Sequence, residues 1–116
     1  MTNTEADKIC IDQTFWMNRV IIKFPYIDLD VLKKYKDKRN WSEYYIQDLR
    51  KIGHKNSKDY LRSGARYNRL DHVKIALHNG ADIHSDEDSA VGLASMYGHL
   101  DVVKYLVSQG LIYPNL

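Results

Sequence analysis

The stretch Leu93-Ala94-Ser95-Met96-Tyr97-Gly98-His99-Leu100-Asp101-Val102-Val103-Lys104-Tyr105-Leu106-Val107, followed by Gly110, decides how this sequence is read. Shifting the chain by thirty positions lays Tyr67 on Tyr97, Leu70 on Leu100, Asp71 on Asp101, Val73 on Val103, Lys74 on Lys104 and Gly80 on Gly110. Conservative pairs follow at the same offset: Leu61 with Val91, Ala65 with Ser95, Leu77 with Val107 and Asn79 with Gln109. A single fixed offset that carries both identities and conservative pairs is an internal repeat, and a period of this length belongs to a solenoid.

Each copy reads as two short helices. Asp59 and Ser89 are oxygen-bearing residues ahead of the first helix and are expected as its N-caps. Asn68 and Gly98 share one repeat position, and both residue types tolerate the left-handed conformation that ends a helix. Second helices are predicted from Leu70 and Leu100. Each has an aspartate in its first turn, Asp71 or Asp101, three residues before Lys74 or Lys104, and each is closed by Gly80 or Gly110. Leu70, Val73 and Leu77, with Leu100, Val103, Leu106 and Val107, recur at helical spacing and are expected to face the core. Gly64, Ala65, Ala94 and Ser95 leave room for close approach between neighbouring first helices.

The run from Leu93 to Val107 with Gly110 resembles an ankyrin repeat, and Gly80-Ala81-Asp82-Ile83 is similar to the glycine-alanine-aspartate-aliphatic turn of that family. The wording around Gly98-His99-Leu100-Asp101-Val102-Val103-Lys104-Tyr105-Leu106 resembles the ankyrin proteins that giant DNA viruses of amoebae encode in many copies. Two repeats, 57–86 and 87–113, and a tail at 114–116 follow from this match. The family's Thr-Pro-Leu-His opening is replaced by Asp59-Tyr60-Leu61-Arg62 and Ser89-Ala90-Val91-Gly92. The thirty-residue period, against about thirty-three for the family, predicts a short finger between Gly80 and Ser89. Leu111 and Ile112 stand where alanine and aspartate are expected, so a third repeat is not completed before Pro114-Asn115-Leu116. Only if the chain is a fragment of a longer array is an exposed end at Leu106, Ile112 and Leu116 expected to be adhesive.

The fold class expected is all-α: a short ankyrin-type solenoid of about two repeats with an N-terminal helical capping segment. Two repeats fall short of the three or so that bury a continuous core, and residues 11–56 are the expected cap, after a flexible N-terminus at 1–10. Phe15, Trp16, Val20, Ile21 and Phe24 sit at helical spacing before Pro25; Leu29, Val31, Leu32 and Tyr35 suggest a second helix. In a third, Ser42 is expected as N-cap, with Trp41 and Ile46 as a hydrophobic staple and Leu49 on the buried face. The stretch from Lys8 to Trp16 resembles the tail of viral F-box-like domains, in which an acidic-polar turn leads into a Phe-Trp helix. The Leu-Pro opening of an F-box is absent, so a complete ubiquitin-ligase adaptor is not expected from this chain.

At 116 residues, 44% hydrophobic and 28% charged, the chain has room for one small domain. It carries no apolar run of membrane-spanning length and no signal-peptide pattern, which predicts a soluble intracellular protein, in the host cytoplasm if viral. Charge divides unevenly: residues 1–58 carry twelve Lys/Arg against eight Asp/Glu, and residues 59–116 five against seven. The overall +2 does not point to nucleic acid.

No constellation points to an enzyme, a metal or a cofactor. Cys10 is a lone cysteine with no placed base. His72, His78 and His84, six apart, do not share a helix face, and His99 matches the family's turn histidine. Asp82, Asp86, Glu87 and Asp88 lack the alternation and central glycine of an EF-hand and read as a solvated acidic turn. The run Lys33-Lys34-Tyr35-Lys36-Asp37-Lys38-Arg39 is the densest positive patch; with Tyr35 or Trp41 it is the place where a nucleic acid would bind. Neither membrane nor small-molecule substrate is expected.

The resemblance implies a non-enzymatic protein-protein interaction module whose concave surface engages a partner, with a host protein as the candidate. Carried onto this sequence, the family's variable positions are Arg66, Tyr67, Asn79, Met96, Tyr97 and Gln109. Tyr67 and Tyr97 suit interface anchors, and equally suit packing on each other. The alternatives are a truncated F-box/ankyrin ubiquitin-ligase adaptor, a nucleic-acid binder using residues 33–39, and an inactive fragment of a longer array.

Overall fold

The computed structural model describes the backbone of residues 2–111, with side chains over 13–84 and 89–109. The described residues are helices and turns, with no strand among them. Cys10, the side chains of Asp86, Glu87 and Asp88, and the end from Leu111 to Leu116, on which several sequence expectations fall, lie outside the described side chains. The chain divides into two units, Met1–Lys51 and Ile52–Leu116.

The first unit opens with helix α1, Thr2–Lys23, which takes in most of the segment expected as a flexible N-terminus. The helix is continuous through Asp12 and Gln13, so the turn of an F-box-like tail is not formed there. It stops ahead of Pro25, whose ring disfavours helical geometry at the preceding residue. Val20 and Phe24 are buried, whereas Phe15 and Ile22 are exposed. Helix α2, Leu29–Lys36, buries Leu32. Helix α3, Trp41–Gln47, is followed by a 3₁₀ turn at Leu49–Lys51.

The cap of α3 differs from the expected one. Asn40, not Ser42, is the N-cap: its side chain accepts from the Glu43 N–H at 2.8 Å while the Glu43 carboxylate accepts from the Asn40 N–H, a complete capping box. Ser42 instead donates to the Asn40 side chain at 2.7 Å. Trp41 is therefore the first helical residue, and its N–H donates to the Gln13 side chain of α1 at 2.7 Å. Tyr45 ties the unit's aromatic core together, 5.7 Å from Trp16 and 6.3 Å from Phe24 between ring centroids.

The second unit is two helix pairs: α4 Ser57–Arg66 with α5 Leu70–His78, then α6 Ser85–Met96 with α7 Leu100–Leu106. The thirty-residue offset is reproduced in three dimensions, since α4 and α6 end at Arg66 and Met96 and α5 and α7 begin at Leu70 and Leu100. Both first helices close alike. Asn68 and Gly98 take φ of 58° and 73°, and the following N–H reaches back five residues, Arg69 to Gly64 and His99 to Ala94, each at 2.8 Å. This is the Schellman closure. Helix α5 ends the same way, with Gly80 at φ 99° and Ala81 bonded to Ala76 at 3.0 Å.

Helix α4 packs on α5 and α6, α6 on α7, and α5 on α7. Gly64 marks the closest approach: a Cβ there would meet Val73 Cγ2 at 2.8 Å and the Arg69 carbonyl at 3.0 Å. The small residues thus act as expected at Gly64, Ala65 and Ala94, which are buried, and not at Ser95, which is exposed.

Four sequence expectations need correction here. Asp59 and Ser89 are not N-caps, because α4 starts at Ser57 and α6 at Ser85; Asp59 lies inside the first turn, where a carboxylate still favours the helix dipole. The early start of α6 leaves only residues 79–84 between the pairs, so the short finger shrinks to a turn. The buried face of α7 is Val102 and Leu106, with Leu100 66% exposed and Val107 at the surface. Gly110 does not end that helix, which runs on as a π-type turn over Val107–Leu111.

Asp71 and Asp101 also part company. Asp101 is exposed, while Asp71 is fully buried and held by Arg69, Nε to Oδ1 at 3.0 Å and Nη2 to Oδ2 at 2.8 Å. Lys74, expected opposite Asp71, places its ammonium 5.0 Å from the Tyr105 ring centroid.

Candidate functional site

The ends of the two first helices bring together four of the six residues expected at a partner surface. Arg66 and Met96 are the last residues of α4 and α6, and Tyr67 and Tyr97 cap them. The Arg66 guanidinium lies 5.4 Å from the Tyr67 ring centroid and 5.9 Å from that of Tyr97, within cation–π range of both. The two tyrosines are thus joined through Arg66. They stay accessible, Tyr67 at 65%, with Met96 beside them at 73%.

His99 completes the arrangement. Its ring stacks on Tyr97 at 6.1 Å with an interplanar angle of 21°, and its Nε2 is 2.9 Å from the Arg66 carbonyl. The second copy's turn is therefore fastened to the end of the first copy's helix, and both aromatic side chains are positioned by that link. Beside Arg66 and Tyr67 a hollow of about 300 Å³ is lined by Asp59, Arg62, Ser63 and Leu93. Leu93, Arg62 and the exposed Leu100 were not among the expected site residues. Helical spacing places Leu100 in the core, but spacing alone does not say which of two adjacent faces is buried, and Leu100 is 66% exposed.

The other two expected residues stand elsewhere. Asn79 caps α5, its side chain donating to the Ile75 carbonyl at 3.0 Å and the Ile52 carbonyl at 3.4 Å while its own carbonyl faces His54 Nδ1 at 2.9 Å. It lies a whole helix from Tyr67, roughly 13 Å along the axis for nine residues, and holds structure rather than offering a surface. Gln109 is exposed in the π-type turn, at the far end of α7.

The basic run at 33–39 is partly consumed by the fold of the first unit. Lys36 donates to the Arg39 carbonyl at 2.7 Å, and Arg39 pairs with Asp48 at 2.9 Å and donates to the Tyr35 carbonyl at 2.6 Å. Lys36 also lies over Trp41, and Arg39 over Tyr44. With Lys34 over the Tyr35 ring, three of the five cations and both candidate stacking rings, Tyr35 and the buried Trp41, make intramolecular contacts.

Of the three histidines spaced by six, His72 is buried with its ring edge-on to Tyr60 at 5.3 Å, and His78 and His84 are exposed. Among the described residues no group of three His, Cys, Asp or Glu side chains is placed to hold a metal ion. No helix among them is long and apolar enough to cross a membrane.

Residues 86–116 match a family model described as ankyrin repeat. The match falls on the second helix pair and supports an ankyrin-repeat protein, and the all-helical described residues with their duplicated helix pairs are consistent with a short helical repeat solenoid. No curated protein and no solved structure matches the chain.

Proposed function

We propose that this protein is a non-enzymatic interaction module that docks a partner protein on the first-helix ends of its repeats, through Arg66, Tyr67, Met96 and Tyr97. The observation that carries the reading is the accessible Tyr67–Arg66–Tyr97 cluster. A monomer gains nothing by exposing Tyr67, Met96 and Leu100 together, while aromatic and arginine side chains with low conformational freedom are what interface anchors are made of. The ankyrin-type architecture supports it, since such repeats present a rigid surface assembled from successive copies. In this reading the protein is of the giant-virus kind, works in the host cytoplasm and takes a host protein as its partner.

The test is quantitative co-purification from amoebal cytoplasm with the full chain and with its Tyr67→Ser/Tyr97→Ser variant, after circular dichroism shows that both fold. One or more proteins retained by the native chain and lost with the variant support the reading. Identical sets of retained proteins contradict it.

A further inference from the structure

The partner's chemistry is written in the state of Arg66. Its guanidinium touches two tyrosine faces yet makes no hydrogen bond or ion pair with another described residue. A cation–π contact engages the charge of the guanidinium and leaves its N–H groups to donate. That fork matches a carboxylate in bidentate geometry, and one already held near two rings loses less freedom on pairing than a mobile one. By contrast, Arg39 and Arg69 both spend their forks on internal carboxylates, Asp48 and Asp71.

Apolar side chains stand near this fork, beside the polar Asp59, Arg62 and Ser63 that line the same hollow. Leu93, one turn before Tyr97, lines the hollow with Tyr67; Met96 and Leu100 are exposed around the turn that follows. From these placements we infer that Arg66 reads an aspartate or glutamate side chain within an extended acidic-apolar segment of the partner protein, whose large apolar residues flank the acid and seat against Leu93 and Met96. The inference rests on the docking surface proposed above and adds the chemistry of what it takes. A nucleic acid is disfavoured by charge: residues 52–116 hold seven Lys/Arg against seven Asp/Glu, which gives no field to gather a polyanion, whereas one carboxylate needs only one fork.

The test pans a phage-displayed library of random dodecapeptides against the full-length chain, then measures synthetic copies of enriched peptides by fluorescence anisotropy. Enriched sequences are expected to place Asp or Glu next to a large apolar residue. Changing that acid to its amide, or Arg66→Gln in the protein, weakens binding by about tenfold or more, as for a lost charge-assisted pair. The two changes together cost little more than either alone, and Arg66→Lys restores only part. Peptides that lose binding with Tyr97→Ser but carry no acid, or acid and Arg66 effects that simply add, overturn the carboxylate assignment and leave the docking surface standing. Tighter binding of phosphopeptides or oligonucleotides at the same residues also overturns it. Failure to enrich any peptide sensitive to Tyr67→Ser or Tyr97→Ser overturns both.

Discussion

His99 Nε2 and the Arg66 carbonyl oxygen, 33 residues apart, face each other at 2.9 Å and fasten one helix pair to the next. The carbonyl belongs to the last turn of α4, where four acceptors lack helical partners, and the histidine N–H donates to this one. His99→Ala is expected to lower stability by about 1 kcal/mol, read as a smaller urea midpoint at unchanged slope. It also frees Tyr97 from its stacking partner. No change in midpoint would mean that the link is not formed in solution.

The packing of α7 makes opposite demands on two leucines. Leu106 is fully buried and Leu100 is 66% exposed. Leu106→Ala is expected to cost about 2–5 kcal/mol, while Leu100→Ala stays within about 0.5 kcal/mol. Chemical denaturation of the two variants checks this, and equal losses would return Leu100 to the core.

Position 68 holds a non-glycine residue at φ 58°, with its side-chain oxygen buried and without a hydrogen-bond partner among the described residues. The matching position in the other copy is Gly98. Asn68→Gly is expected to stabilise the fold by about 0.5–1 kcal/mol, since the strain and the unsatisfied carbonyl disappear together. Gly64→Ala acts the other way, by about 1–3 kcal/mol, because its Cβ would overlap Val73. Thermal melts of the two single variants should shift in opposite directions.

Burial holds the Tyr105 phenol above its ordinary value of 10. A raised value means that the native state keeps the proton after the unfolded chain has lost it. The stabilising contribution is therefore complete below about pH 10 and is lost as pH rises through the native value. Compared with Tyr105→Phe, the native chain is expected to lose stability faster above that pH and in parallel below it. Denaturation of both proteins across the alkaline range gives the answer; parallel curves throughout would contradict the burial.

What the sequence made legible is what repeats or what backbone geometry demands. The thirty-residue offset located both helix pairs, and the equivalence of Asn68 with Gly98 located the left-handed closures, because few residue types accept positive φ. The family resemblance, not the offset, implies Arg66, Tyr67, Met96 and Tyr97 as variable positions, and these four stand together at the ends of α4 and α6. Features set by alternatives a turn or less apart were not legible. Asn40 and Ser42 are both competent caps, and only the placement of Glu43 and Gln13 selects Asn40. Leu100 and Val102 both fit an apolar stripe. Leu100 begins α7, where side chains lean back over the preceding turn and away from the core. The resemblance implies Asn79 as a variable position, and it carries no record of the bonds that Asn79 makes to the Ile52 and Ile75 carbonyls.

The central claim is that a partner protein docks at the ends of α4 and α6, and hydrogen-deuterium exchange of the full chain, free and saturated with a co-purified partner, tests it most directly. Protection is expected over residues 60–70 and 93–101, with residues 29–40 exchanging equally in both states. Protection confined to 29–40, with 60–70 and 93–101 unchanged, would place the partner on the basic run and contradict the account.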